Sequence, residues 1–378
     1  DNNFGCTALN WAAGCGNTEC IRLLINAKAN LELQNNHGHP AFLRAVSGGH
    51  ADCAQMLMDA KADMEVCYRH EVTPLMLATL RGSAVMQRLL DDNADVDLSD
   101  YCGDTALIWA VRLGKADCVQ LLIDAQADFG IAFPPLICAA QMGRTECAQL
   151  LIDAGAELET MDSGRRTPLV WAASQGEAEC VELLINAQAC INPQCNTIAS
   201  PLSCAAGSGH PECLQLLVDA KADLEAKDDQ KRAALSVAAF CGNANCVQLL
   251  IDAKANIEVE DDHLRTPLML ASLRGHTDCV QLLIELKAAL DAKDNVGRSA
   301  LHWAAQEAQT HCAQLLIHAS AHAEAQDYEG MTALMLAAGK GHTECVELLI
   351  SASSLAARRQ ERKRRRMSDA SPQQDEEQ

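Results

Sequence analysis

One side chain returns at a fixed interval along this 378-residue chain. Cys20, Cys53, Cys118, Cys147, Cys180, Cys213, Cys246, Cys279, Cys312 and Cys345 are mostly 33 residues apart, inside near-copies such as GNTECIRLLI (16–25), GRTECAQLLI (143–152) and GHTECVELLI (341–350). The 65-residue step from Cys53 to Cys118 passes over one unit, with Met86 in the cysteine's place. A period of this length argues against one central core. Each unit is a supersecondary module that cannot bury its apolar face alone and has to stack on the next.

A second signal runs in the same register: TALNWA (7–12), TPLMLA (73–78), TALIWA (105–110), TPLVWA (167–172), TPLMLA (266–271), SALHWA (299–304) and TALMLA (332–337). Weaker copies begin at Pro40, Pro134, Ser200 and Ala233, which makes eleven units. Thr caps a helix, and Pro at the first helical position lacks only an N–H that would be unpaired anyway. Ala stands five residues after the opening residue in all eleven, from Ala12 to Ala337, where a larger side chain would push neighbouring helices apart. Gly follows four residues later in ten units, with Ala308 the exception.

These motifs resemble the ankyrin repeat family, whose unit is a β-turn plus two helices with a Thr-Pro-Leu-His-x-Ala opening. The resemblance spans about residues 1–355 and implies an all-α solenoid of helix-turn-helix units with β-turn fingers, followed by a tail over 356–378. It also implies that partner proteins are bound by the finger tips and by the exposed, concave side of the first helices.

Distance decides what the cysteine row is for. Stacked helices lie about 8–10 Å apart, beyond the roughly 7 Å Cα separation a disulfide spans. A zinc site needs about four ligands converging on one point, and a row along an axis does not converge. The thiols read as small apolar filler. Nineteen cysteines without a disulfide framework imply a reducing compartment, cytoplasmic or nuclear. The pair Cys190 and Cys195 lacks a matching second pair for a metal, and the crowd of His302, His311, His318 and His322 reads as surface and scaffold histidine. No metal or other cofactor is expected. With no phosphate-cradling glycine loop, zinc-protease helix or nucleophile motif, neither is catalysis.

Net charge is −21, and the tail, with seven basic and five acidic residues from Ala356, leaves the repeat body at −23. That body repels nucleic acid, and no apolar run approaches the roughly 18 residues of a membrane span. Part of the acid is structural: Glu19, Asp52, Asp117, Glu146, Glu179, Glu212, Asp278 and Glu344 open the second helices, where a carboxylate complements the dipole. The rest leaves room for a partner with basic or extended segments. In the tail, Arg358 to Arg366 admits two readings, a nuclear import signal or a solvated extension of the last helix that pairs with the acidic body, and Ser368 after Arg365-Arg366-Met367 reads as a modification site.

Three departures from the family pattern matter. The motif's His survives only as His302. The Gly expected after the second helix remains only as Gly155, replaced elsewhere by Lys28, Lys61, Asn93, Gln126, Gln188, Lys221, Lys254, Lys287 and Ser320. The connection over 127–135 is four residues short, and a one-residue deletion near Asp91 is expected to shorten the third unit's second helix.

All four tryptophans share one scaffold position, whereas Tyr68, Tyr101 and Tyr328 fall at finger tips. Exposed Tyr and Arg are the types most enriched in interface hot spots. Two candidate partner-binding clusters follow. One is Tyr68, Arg69, Leu80, Arg81, Tyr101, Arg112 and Leu113 in units three and four; the other is Arg232, Phe240, Arg265, Leu273, Arg274, Arg298 and Tyr328 in units eight to eleven. The row Arg166, Arg232, Arg265 and Arg298 admits two readings, pairing with the repeated aspartates Asp228, Asp261, Asp294 and Asp327, or a groove for an acidic peptide. The expected function is a non-catalytic protein-binding scaffold that takes no small-molecule substrate. The alternatives are the substrate-recognition region of a larger enzyme, such as a ubiquitin ligase or kinase, and a nuclear adaptor using the tail.

Overall fold

The computed structural model describes residues 4–65, 67, 71–129, 134–193 and 200–354. Its contacts divide the chain into two units, Asp1–Cys190 and Ile191–Gln378. In the N-terminal unit the first helices are α1 (Ala8–Gly14), α3 (Ala41–Gly48), α5 (Pro74–Arg81), α7 (Ala106–Arg112), α9 (Pro135–Gln141) and α11 (Pro168–Gln175). The second helices there are α2 (Thr18–Asn26), α4 (Ala51–Asp59), α6 (Ser83–Asp91), α8 (Ala116–Asp124), α10 (Thr145–Asp153) and α12 (Ala178–Asn186). The C-terminal unit pairs α13 (Pro201–Ser208) with α14 (Pro211–Asp219), α15 (Ala234–Cys241) with α16 (Ala244–Asp252), and α17 (Pro267–Arg274) with α18 (Thr277–Glu285). It ends with α19 (Ala300–Gln306) beside α20 (Thr310–His318), and α21 (Ala333–Lys340) followed by a helix over 343–354. Within each unit, first helices pack on first helices and second on second, so the all-α solenoid has two layers. Antiparallel bridges between Ser99 and Thr105 and between Gln326 and Thr332 close the base of a finger.

The repeated residues form the seams between layers. The motif alanine is buried in every unit, from Ala12 to Ala337. The cysteine row is buried from Cys53 to Cys345, whereas Cys20, in the first helix pair, is exposed. Thr73, Thr167, Thr266 and Thr332 cap their helices through the hydroxyl, each accepting the backbone N–H three residues on. His302 is buried, with Nδ1 beside the Ser299 N–H at 3.2 Å and Nε2 at 3.1 Å from the Ala325 carbonyl. Asn10 repeats this arrangement without an imidazole: Oδ1 accepts the Thr7 N–H at 2.9 Å and Nδ2 donates to the Leu33 carbonyl at 3.1 Å. In the third pair Met76 keeps half of it, its Sδ taking the Thr73 N–H at 3.4 Å.

Two further ladders tie successive pairs together. A carboxylate in one finger accepts a backbone N–H 31 residues on, as in Glu32 with Asp63, Asp97 with Asp128, Glu225 with Asn256 and Glu258 with Ala289. The residue just before a second helix reaches back to a carbonyl at the end of the preceding pair's first helix. His50 does so to Gly14, Asn243 to Ala206, His276 to Phe240 and His342 to Gln306. Helix ends leave such carbonyls without intrahelical partners.

The structure corrects one sequence expectation. The second helix of the third pair is not shortened: α6 has 9 residues, like α4. The missing residue comes from the turn, where Gly82 alone joins α5 to α6 at φ 109° and ψ 172°. Counted from the helix start, Val85 and not Met86 therefore occupies the cysteine row, and both are buried. The separation of α8 and α9 is short as expected, ten residues against fourteen between α10 and α11.

All nine residues standing where Gly is expected after the second helix adopt the left-handed conformation, with φ from 58° at Lys28 to 77° at Ser320. Ala308 does the same at the end of α19, at φ 58°. A side chain there costs on the order of 1 kcal/mol. Lys254→Gly and Ala308→Gly are each expected to stabilise the protein by about 0.5–1 kcal/mol. Urea unfolding monitored by circular dichroism checks this, and a lower midpoint for either variant refutes it.

Burial also sets thiol chemistry. It pushes Cys279 up to about 12 and Cys147, Cys246 and Cys312 up to about 11. Iodoacetamide at pH 7.5 should modify the exposed Cys15, Cys20, Cys102, Cys190 and Cys241 and spare Cys53, Cys147, Cys246, Cys279 and Cys312 until denaturant is added. Peptide mass spectrometry reads each site. Native-state labelling of the buried row at the exposed rate would show that the stack does not shield it.

Candidate interaction surface

Among the described residues, six fingers are each built on one acceptor. Asp261 Oδ1 receives the His263 and Arg265 N–H groups, at 2.9 and 2.8 Å. Asn35, Asp100, Asp228, Asp294 and Asp327 hold their fingers by the same pair of bonds, two and four residues on. In Asp100, Asp162 and Asp294 the second oxygen accepts the indole N–H of Trp109, Trp171 and Trp303, at 3.0, 3.0 and 2.9 Å. These three tryptophans thus brace their own fingers.

The arginine row pairs with this aspartate row. Arg166, Arg232 and Arg265 bind Asp162, Asp228 and Asp261 four residues earlier, at 2.9, 2.7 and 2.7 Å. Arg298 breaks the pattern: its Nε reaches the next finger's Asp327 at 3.2 Å and its Nη1 the Gln306 side chain at 2.6 Å. Burial alone would raise the Asp162 and Asp327 carboxyls. For Asp162 the Arg166 backbone and guanidinium outweigh it, for Asp327 the Met331 N–H and Arg298, and both groups fall below the usual carboxylate range.

In the second candidate cluster, Phe240 lies between two guanidiniums, Arg274 at 4.8 Å and Arg232 at 5.7 Å from the ring centre. Leu273 is half-buried and Arg274 exposed. Tyr328 is 70% exposed although its backbone N–H bonds the Val296 carbonyl of the neighbouring finger. A Cβ on Gly297 would meet that Tyr328 backbone and ring at 2.7 and 2.6 Å, so this finger needs glycine. Lys293 Nζ sits 5.7 Å from the same ring.

In the first cluster Tyr101 is 80% exposed and Leu80, Arg81, Arg112 and Leu113 are all exposed. Arg112 pairs with the buried Asp104. Tyr68 and Arg69 lie outside the described residues, as do Cys195, Ser368 and the tail from 356. Sequence reasoning missed Leu264, which holds φ 58° at a finger position that is Gly38, Gly103, Gly297 or Gly330 elsewhere and is 45% exposed. It also missed Met142, Arg44 and Arg144. The signal was available in the glycine register and in the charge of the helices taken one layer at a time. Among the described residues no three His, Cys, Asp or Glu side chains are grouped to hold a metal, and no helix is long and apolar enough to cross a membrane.

A two-layered stack of helix pairs, with fingers organised by a repeated aspartate, defines a class of repeat protein, and comparison with known proteins agrees. The pattern described as "Ankyrin repeats (3 copies)" matches residues 1–67, 60–133, 132–195, 191–261, 235–327 and 309–365. The chain belongs to the ankyrin repeat family. It is similar to the crystal structure of the human ASB11 ankyrin repeat domain, at 27% identity and a TM-score of 0.53, over 58% of this chain and 98% of that one. Among curated proteins no match was found.

Asp261 is buried and carries four bonds to Arg265 and His263. Asp261→Ala is expected to destabilise the protein by about 3 kcal/mol, because it strands a half-buried guanidinium and two N–H groups. Asp261→Asn, which keeps one acceptor oxygen, should cost about half as much. Equal unfolding midpoints for Asp261→Ala and wild type would refute the finger's dependence on this carboxylate.

Proposed function

We propose that this chain is a non-catalytic scaffold that binds partner proteins through its finger tips and the exposed ends of its first helices. Family membership supports protein binding in general. The observation that supports this particular surface is the division of labour between repeated and non-repeated side chains. Those that repeat, the motif alanine, the cysteine and the finger aspartate, are spent on the stack. Tyr101, Tyr328, Leu80 and Leu113, residue types found at their positions in no more than two units, are exposed. Helices already ordered by stacking present these groups, so binding demands little further ordering. The extent of the array, to about residue 355, and the import and modification roles of the tail belong to the same proposal.

Affinity capture from lysate should recover fewer partners with Tyr101→Ala plus Leu80→Ser than with wild type, a loss of about tenfold for partners using this surface. A control on a second helix, Arg88→Glu, should recover the wild-type set. Equal recovery by all three proteins would remove these side chains from the interface.

A further inference from the structure

The net charge of −21 conceals a division between the two layers. None of the first helices of the N-terminal unit, α1, α3, α5, α7, α9 and α11, contains an Asp or Glu; their only charged residues are Arg44, Arg81 and Arg112. The second helices of the same unit carry Asp52, Asp59, Asp117, Asp124, Glu146 and Asp153 among others. The acid that dominates the composition is thus kept off the first helices.

At the C-terminal ends of three successive first helices, α5, α7 and α9, stand Leu80, Leu113 and Met142, exposed by 46%, 39% and 42%. Guanidiniums flank them. Arg81 is the last residue of α5, and its side chain lies against Gly49 at the end of α3. Arg144 folds back over the end of α7, where its Nη2 donates to the Arg112 carbonyl at 3.1 Å and its Cδ lies against Gly114. Arg112 is neutralised by Asp104, but neither Arg81 nor Arg144 has a carboxylate within ion-pair distance among the described residues. A cation at a helix C-terminus is favourable in itself, which accounts for the position of Arg81 and leaves the three exposed apolar side chains unexplained. The C-terminal unit differs: Phe240 and Leu273, at the positions equivalent to Leu80, are half-buried, the first helices carry only Arg274 and Lys340 as basic side chains apart from His302, and Glu307 follows α19.

We infer that the strip of Leu80, Arg81, Leu113, Met142 and Arg144 seats an extended acidic segment of a partner protein. Charge complementarity selects acid over base, since Arg81 and Arg144 are two guanidiniums without a carboxylate at ion-pair distance, against the one carboxyl, Glu177, that lies over Gly143 at the end of the strip. Spacing selects an extended chain. Neighbouring helices lie about 8–10 Å apart, and a chain in the extended polyproline II form advances about 3.1 Å per residue with three residues per turn, so a segment crossing the helix ends turns every third side chain toward the strip at about the spacing of the helices. The ligand is therefore acidic, with Leu, Ile, Met or Phe at intervals of three.

This inference rests on the protein-binding reading above, and the test separates the two. A library of random twelve-residue peptides displayed on phage is selected against the intact protein, and the enriched sequences are synthesised. The expected pool is net acidic with apolar residues three apart. Affinity measured by fluorescence anisotropy should fall about tenfold with Arg81→Glu and with Leu113→Ser, and not with Arg88→Glu on a second helix. Circular dichroism melts confirm that each variant is folded. A neutral or basic pool, or one indifferent to both strip variants and sensitive to Tyr328→Ala, overturns the inference and leaves the scaffold reading intact. Failure to enrich any peptide counts against both.

Discussion

No helix pair here owns a core. Burial of one pair's Ala and Cys face against the next supplies the apolar contact that a globular domain would find at its centre, so every other feature depends on close approach between neighbours. Small side chains at the seams make that approach possible: Ala at the crossing of first helices, and Cys or Val85 in the second layer. Aromatic residues, only 3% of the chain, are correspondingly rare in it. The largest of them, Trp109, Trp171 and Trp303, stand at the edge of the stack, where the indole N–H finds a finger carboxylate.

Polar groups at the seam are handled by repetition as well. An array of short helices exposes many terminal carbonyls and N–H groups, and each unsatisfied one would cost about 1–3 kcal/mol if buried. The carboxylate ladder along the fingers and the His, Asn or Arg reaching back to the preceding helix end remove that penalty pair by pair. Different residues do this in different units, which is why the position tolerates His50, Asn243 and Arg144 alike.

The stack was legible in the sequence because its physics is periodic. Cap, alanine, glycine and thiol recur in register, and distance alone excluded a disulfide row. What was not legible was local. Deleting one residue from a turn and deleting one from a helix leave the same spacing from Met86 to Asn93, and only the dihedral freedom of Gly82 decided between them. The Arg row was read with both of its fates open because pairing four residues back, as in Arg265 with Asp261, and pairing across fingers, as in Arg298 with Asp327, look identical in one dimension. The candidate surface was half visible: Tyr101 and Leu80 stand out as breaks in the repeat, whereas Met142 and Arg144 acquire meaning only once α7 and α9 are side by side.

The left-handed residues that close the second helices carry a further consequence. Nine of them, at on the order of 1 kcal/mol each, withhold a sum comparable to the whole net stability of an ordinary domain, about 5–15 kcal/mol. Because each pair leans only on its neighbours, the strain lowers the cost of opening a pair locally. Within each unit, anything that clamps two adjacent pairs slows the opening of both.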